Sequence, residues 1–188
     1  MKKRIIIISV VFMAVIAGIW ISGLFPVARV NGEFIMHRAY RDRVSALLSF
    51  EEQNRQVSGG GALTSDTADA IRQTVLQNLV SEVVFRQYIA SQESLSDLKD
   101  RADAVVAETL RTANSNVLPR ATEQLYNWSV EEFKENVLYP QALQNELATE
   151  IEKTGTPFEE FARTKLTEAN ITLYLVPWKW EDGKLVGR

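Results

Sequence analysis

Residues Ile5 to Phe25 form a run of 21 residues without a charge. At 1.5 Å per residue such a helix is about 31 Å long, close to the roughly 30 Å of a hydrocarbon core. A helix that is apolar on every face needs lipid or a very large core around it. The 163 residues that follow are too few to supply that core. Lys2, Lys3 and Arg4 sit directly before the run. Basic residues stay cytoplasmic, so the rest of the chain is expected on the far side of the membrane. Two fates fit this segment. One is a cleaved signal ending at Ile21-Ser22-Gly23; the other is an uncleaved anchor, which the length of the apolar core favours.

Composition removes several function classes. The chain has no cysteine, which excludes disulfides, thiolate metal sites and a thiol nucleophile. Its single histidine, His37, excludes any site built on two imidazoles. The net charge is −3, and without Lys2, Lys3 and Arg4 the 24 acidic residues leave the body at −6. A general nucleic-acid binder would carry a basic excess instead. An exported body of this size buries a core without disulfides.

The exported part reads as helices framed by short strands. Val27 to Ile35 is a small hairpin around Asn31-Gly32, the pair that tolerates positive φ at both central positions. Its arms are too short to stand alone. His37 to Gln56 carries Tyr40, Val44, Leu47 and Leu48 at helical spacing. Gly59-Gly60-Gly61 is a connector, since no Lys-Ser/Thr follows and no strand precedes it. Asp66 to Gln92 is the longest helix, with rows Ile71, Val75, Leu79, Val83 and Leu76, Val80, Val84, Tyr88. Ser94 or Ser96 is the expected cap of a helix reaching Leu110, with Leu98, Ala102, Val105, Val106 and Leu110 facing inward. A weaker helix spans Leu118 to Asn127.

Ser129-Val130-Glu131-Glu132 is a capping box opening a helix to about Lys153. Pro140 inside it is expected to kink it. Gly155 stops that helix, and Thr156 is the expected cap of the next, which starts at Pro157 and ends near Asn170. Ile171 to Val176 reads as a strand, and Lys184 to Val186 as a second arm after Asp182-Gly183. Pairing the strands at the two ends of the body into one small sheet is the economical solution.

Catalytic constellations are nearly absent. His37 lies among polar neighbours and reads as a solvated surface residue. Glu51-Glu52, Glu131-Glu132 and Glu159-Glu160 are adjacent pairs about 100° apart on a helix, so none faces its partner. No metal spacing and no phosphate loop appear, and no cofactor is expected. Trp128, Trp178 and Trp180 fall at turns or strand ends, where partial exposure is expected. An exposed apolar patch on an exported domain points to polypeptide binding.

The order of parts then becomes familiar. An apolar leader, Val30-Asn31-Gly32-Glu33, a helix, the long IRQTVLQNLVSEVVFRQYIAS and finally WSVEEFKENVLYPQALQNEL resemble the SurA N-terminal chaperone domain, also seen in PrsA and PpiD. The resemblance covers Val27 to Glu152. Phe34 and Met36-His37 stand where the family usually has a small residue or proline and a Thr, Ser or Asp cap. It implies a helical cradle that holds unfolded or partly folded polypeptide. A parvulin module would need about a hundred further residues and later histidines. None of this follows Glu159, so no isomerase active site is expected.

The expected architecture is mainly α. A transmembrane signal-anchor (1–25) leads into a helical SurA-N-like domain (26–170), and a C-terminal strand or hairpin (171–188) closes it. The side chains assigned to polypeptide binding are Leu48, Tyr88, Trp128 and Tyr139. The expected partners are unfolded or nascent exported polypeptides and, through the leader, the membrane. The expected location is the cytoplasmic membrane, with the body periplasmic or at the cell surface. Two alternatives stay open: an envelope scaffold with one fixed partner, and a degenerate prolyl isomerase relative.

Overall fold

The computed structural model describes Gly23 and residues 25–188. The basic tip and the predicted membrane-spanning helix, apart from Gly23 and Phe25, lie outside the described residues. Among the described residues no helix is long and apolar enough to cross a membrane.

The Asn-Gly hairpin forms as its turn chemistry requires. Strand β1 (Pro26–Val30) pairs antiparallel with β2 (Glu33–Met36), and Val30 faces Glu33 across the turn. Asn31 and Gly32 take φ of 48° and 98°. The missing third strand comes from the other end of the chain. Strand β3 (Ile171–Leu173) lies antiparallel against β1, giving the order β2-β1-β3. Ala28, fully buried, is flanked by Ile35 and Leu173 on the core side. Arg29, Phe34 and Thr172 form the adjacent row, and the Arg29 guanidinium sits 5.6 Å over the Phe34 ring.

The C-terminal strand is shorter than its β-branched composition implies. It stops at Leu173, because Leu175 takes φ of 53° and turns the chain away. Lys184 to Val186 therefore does not extend the terminal sheet. Strands β4 (Trp178–Glu181) and β5 (Lys184–Gly187) make a separate hairpin around Asp182-Gly183. Gly183 has φ of 79°, and a Cβ there would crowd Thr167 Oγ1 at 3.0 Å, so glycine avoids both the backbone strain and the close approach.

Helix α1 (His37–Val57) begins at once after β2. Two of its free N–H groups are satisfied by the preceding chain: His37 donates to Phe25 O at 2.8 Å and Arg38 to Gly23 O at 3.2 Å. His37 is not the solvated residue its neighbours implied. Its ring stacks on Phe25 at 4.4 Å, and Nδ1 is buried without a hydrogen-bond partner among the described residues. Burial, reinforced by Arg41, holds its pKa below the usual imidazole range.

Helix α2 (Ser65–Ser91), capped by Thr64, is the axis of the core. Val75, Leu76, Leu79, Val80, Val83 and Val84 are all buried, as the two apolar rows require. A 3₁₀ turn (Glu93–Leu95) leads to α3 (Leu98–Thr112). Neither Ser94 nor Ser96 caps α3; Asp97 occupies the N-cap and gives no side-chain bond. Leu98, Ala102 and Val106 are buried, but Val105 is 44 % exposed because the inward stripe is narrower than expected. Helix α4 (Leu118–Tyr126) ends on Asn127 at φ of 55°.

The Ser129 box forms in full. Ser129 Oγ accepts from Glu132 N–H at 3.2 Å, and the Glu132 carboxylate accepts from Ser129 N–H at 2.8 Å. It opens α5 (Val130–Phe133), which runs through a π-helical turn (Lys134–Leu138) into α6 (Tyr139–Lys153). Pro140 explains the turn. It has no N–H for Asn136 O, and its ring crowds that carbonyl, so the bonding widens and Tyr139 N–H reaches back to Lys134 O. The disturbance expected at Pro140 is thus a π-turn just before it. Helix α7 (Phe158–Glu168) follows, with Pro157 rather than Thr156 at the N-cap position and no side-chain cap.

Ser129→Ala is expected to cost about 1 kcal/mol, lowering the melting midpoint by a few degrees. The bonds from Ser129 hold the Glu132 carboxyl below its usual pKa. A lowered carboxylate pKa stabilises above the unfolded value and stops doing so as pH falls through the folded one. The largest of these bonds, from the Ser129 backbone N–H, survives in Ser129→Ala, so only the hydroxyl's share is lost and the gap between wild type and variant in thermal circular dichroism should narrow slightly in acid.

Candidate polypeptide-binding cleft

Helix α2 shows its apolar rows to the core, but a third face looks elsewhere. Asn78, Ser81, Glu82 and Phe85 follow one another at helical spacing and line an open cleft of about 590 Å³. Leu47 of α1 borders it on one side, with Asn136 and Val137 of the π-turn and Gln141 and Gln144 of α6 on another. Phe158, Ala162 and Leu166 of α7 complete the wall. Val75 and Phe85 are buried lining residues. A smaller hollow of about 180 Å³ adjoins it, lined by Phe85, Ile89, Tyr139 and Leu143.

Arg43 stands between the two hollows and contributes to both. Its guanidinium pairs with Glu82, and its Nε donates to Asn136 Oδ1 at 3.1 Å. The pair is largely shielded, with side chains 15 % and 28 % exposed. It ties α1 to α2 and to the π-turn, which fixes the separation of the cleft walls. Asn136 is held from behind as well, by donation to Glu132 O at 2.8 Å. Arg101 joins α3 to α6 through Glu150 at 2.7 Å and Glu146 at 3.1 Å.

Of the four residues assigned from sequence, two line the adjoining hollows, one in each. Trp128 lines the larger hollow and Tyr139 the smaller. Trp128 is only 8 % exposed, not partly exposed as its turn position implied; Trp178 is equally buried. A stack of Phe50 on Tyr126 at 5.2 Å and Tyr126 on Trp128 at 5.8 Å packs it from behind. Burial raises the Tyr139 phenol pKa above its usual range. Leu48 packs on the core and does not line the cleft. Tyr88 lies in a different, shallow hollow, against Phe161 and with Lys165 Nζ 5.7 Å from its ring. Leu47, Phe85, Asn78 and Gln144 escaped the sequence reading. The available signal was the third face of α2, polar except for Phe85.

Chemically the cleft combines partly apolar walls with a few convergent polar groups, and its volume is in the range of a ligand site. Among the described residues no acidic or histidine cluster suits a metal.

A family model for the SurA-like N-terminal domain matches residues 1–109. The chain belongs to this family. No curated protein and no solved structure matches it. The matched segment includes the terminal hairpin, α1, α2 and most of α3. The SurA-like part thus supplies Arg43, Leu47 and the α2 face of the cleft. Trp128, the π-turn, α6 and α7 come from beyond the matched segment. Family membership gives the domain a chaperone-like, folding-related character, in which the ligands are polypeptides in general.

Proposed function

We propose that this protein is a membrane-anchored, extracytoplasmic chaperone-like domain that holds unfolded or partly folded polypeptides without catalysis. The observation that carries the reading is the open cleft of about 590 Å³ in a SurA-like domain, lined by Leu47, Val75, Phe85, Phe158 and Leu166. Leu47, Phe158 and Leu166 are only partly buried and leave apolar surface open to the cleft above the buried Val75 and Phe85, the kind of surface that marks a binding site. Clients would be held by burial of their own apolar side chains, with no nucleotide or metal. Many weak contacts give fast release, because most of the gross contact energy is offset by ordering the bound chain. The Ile5 to Phe25 run and its basic leader support an anchor with the body outside the cytoplasm.

The test is suppression of aggregation. An equimolar amount of the full chain in detergent should lower light scattering from a chemically unfolded client protein. Unchanged scattering would overturn the reading. The anchor is checked separately by the mass of the mature protein and its recovery with the membrane fraction.

A further inference from the structure

We infer that the larger cleft reads the main chain of an extended, uncharged polypeptide segment, using the free carboxamides of Asn78 and Gln144. This deepens the proposed function and rests on the cleft being the client site. Among the described residues five carboxamides line the cleft, and three are already engaged. Gln77 donates to Gly183 O and accepts from Leu185 N–H. Asn136 accepts from Arg43 and donates to Glu132 O. Gln141 donates to Asn145. Asn78 on α2 and Gln144 on α6 are exposed, line the same cleft, and have no side-chain hydrogen bond among the described residues.

A carboxamide offers two N–H donors and a carbonyl acceptor. That set matches a peptide group whatever side chain the residue carries. Such contacts give affinity without sequence choice.

The charge pattern narrows the segment further. Among the described residues Arg43 and Glu82 are the only ionisable side chains lining this cleft, and each neutralises the other. The cleft is thus neutral in a chain whose net charge is −3. A charged client side chain brought here would lose water and find no free counter-charge. An apolar side chain meets Val75, Phe85, Phe158 and Leu166 instead. Alternate residues of an extended strand point to opposite sides, so one set enters the cleft while the main chain stays level with the carboxamides.

The experiment uses the full chain in detergent and fluorescence anisotropy with three labelled ten-residue peptides. The first is an uncharged Leu/Ala/Ser sequence. The second is the same sequence with alternate main-chain nitrogens methylated. The third carries one central Lys. Methylation and the Lys are each expected to weaken binding about tenfold. The double variant Asn78→Ala, Gln144→Ala should weaken the parent peptide by about the same factor and weaken the methylated peptide clearly less, since methylation has already removed the bonds to the carboxamide oxygens but left those from the carboxamide N–H groups. Both positions are exposed on helices, where alanine is well tolerated. Equal binding of parent and methylated peptides to the wild type, or a double variant that binds as the wild type does, overturns the inference while leaving the client site standing. No binding of any peptide, together with no suppression of aggregation, overturns the client site itself.

Discussion

Ser81→Trp is expected to abolish client holding while leaving the fold in place. Ser81 lies on the cleft face of α2 between Asn78 and Phe85, and its hydroxyl donates back to Gln77 O at 3.0 Å. That local bond adds little to helix stability, so losing it is cheap. An indole at this half-buried position would project into the cleft that Ser81 lines. It occupies the volume a client side chain would need and covers the Phe85 and Phe158 surface. Suppression of aggregation at equimolar ratio should fall to background, and the affinity for an uncharged peptide should drop by more than about tenfold, the effect of losing some 1.4 kcal/mol or more. The melting midpoint should stay within a few degrees of wild type. Ser81→Ala is the control and should hold clients normally. A Ser81→Trp protein that still holds clients would move the site away from this cleft, with the Tyr88 hollow as the next place to look.

What could be read in the chain divides along a physical line. Features fixed by neighbours within one turn of helix or one hairpin were legible. Asn31-Gly32 demanded a turn, Ser129 and Glu132 demanded a capped helix start, and the two α2 rows demanded a core. The meeting of the terminal strands was legible too, because a three-residue arm needs a partner and the chain offered few. Features that depend on a small rotation were not. Leu47 and Leu48 differ by about 100° around α1; the first reaches the cleft and the second packs on the core. Pro140 announced a disturbance but not its form, since a kink and a π-turn both relieve the same clash. The cleft itself needs Arg43, Glu82 and Asn136 in contact, residues 39 and 93 positions apart from Arg43. No local pattern specifies that meeting. The Asp182-Gly183 turn and the Lys184 to Val186 arm were legible; the other arm, Trp178–Glu181, was hidden because Leu175 adopts a backbone conformation that a leucine rarely takes and ends β3 early.

Asn31→Ala should be among the most destabilising single changes at the surface of this domain, and its cost should be felt in the cleft. The Asn31 amide donates to Gln87 Oε1 at 2.9 Å, and its carbonyl oxygen accepts from Asn170 N–H at 2.8 Å. One side chain therefore joins the hairpin turn to α2 and to the residue that opens β3. Alanine loses both bonds, at about 1 kcal/mol each. It must also hold φ of 48°, which costs a residue with a Cβ about 1 kcal/mol more. The sum, about 2–3 kcal/mol, lowers the melting midpoint by roughly 5–10 °C in a domain of this size. Asn31→Gly separates the two causes, because it removes the bonds but relieves the backbone; its midpoint should fall between wild type and alanine. Equal midpoints for the glycine and alanine variants would assign the whole effect to the side-chain bonds. Loosening Asn170 frees the link between β3 and α7, and α7 carries Phe158, Ala162 and Leu166 of the cleft wall. Aggregation suppression by Asn31→Ala should therefore weaken at temperatures well below its own melting point, which a change confined to the hairpin would not produce.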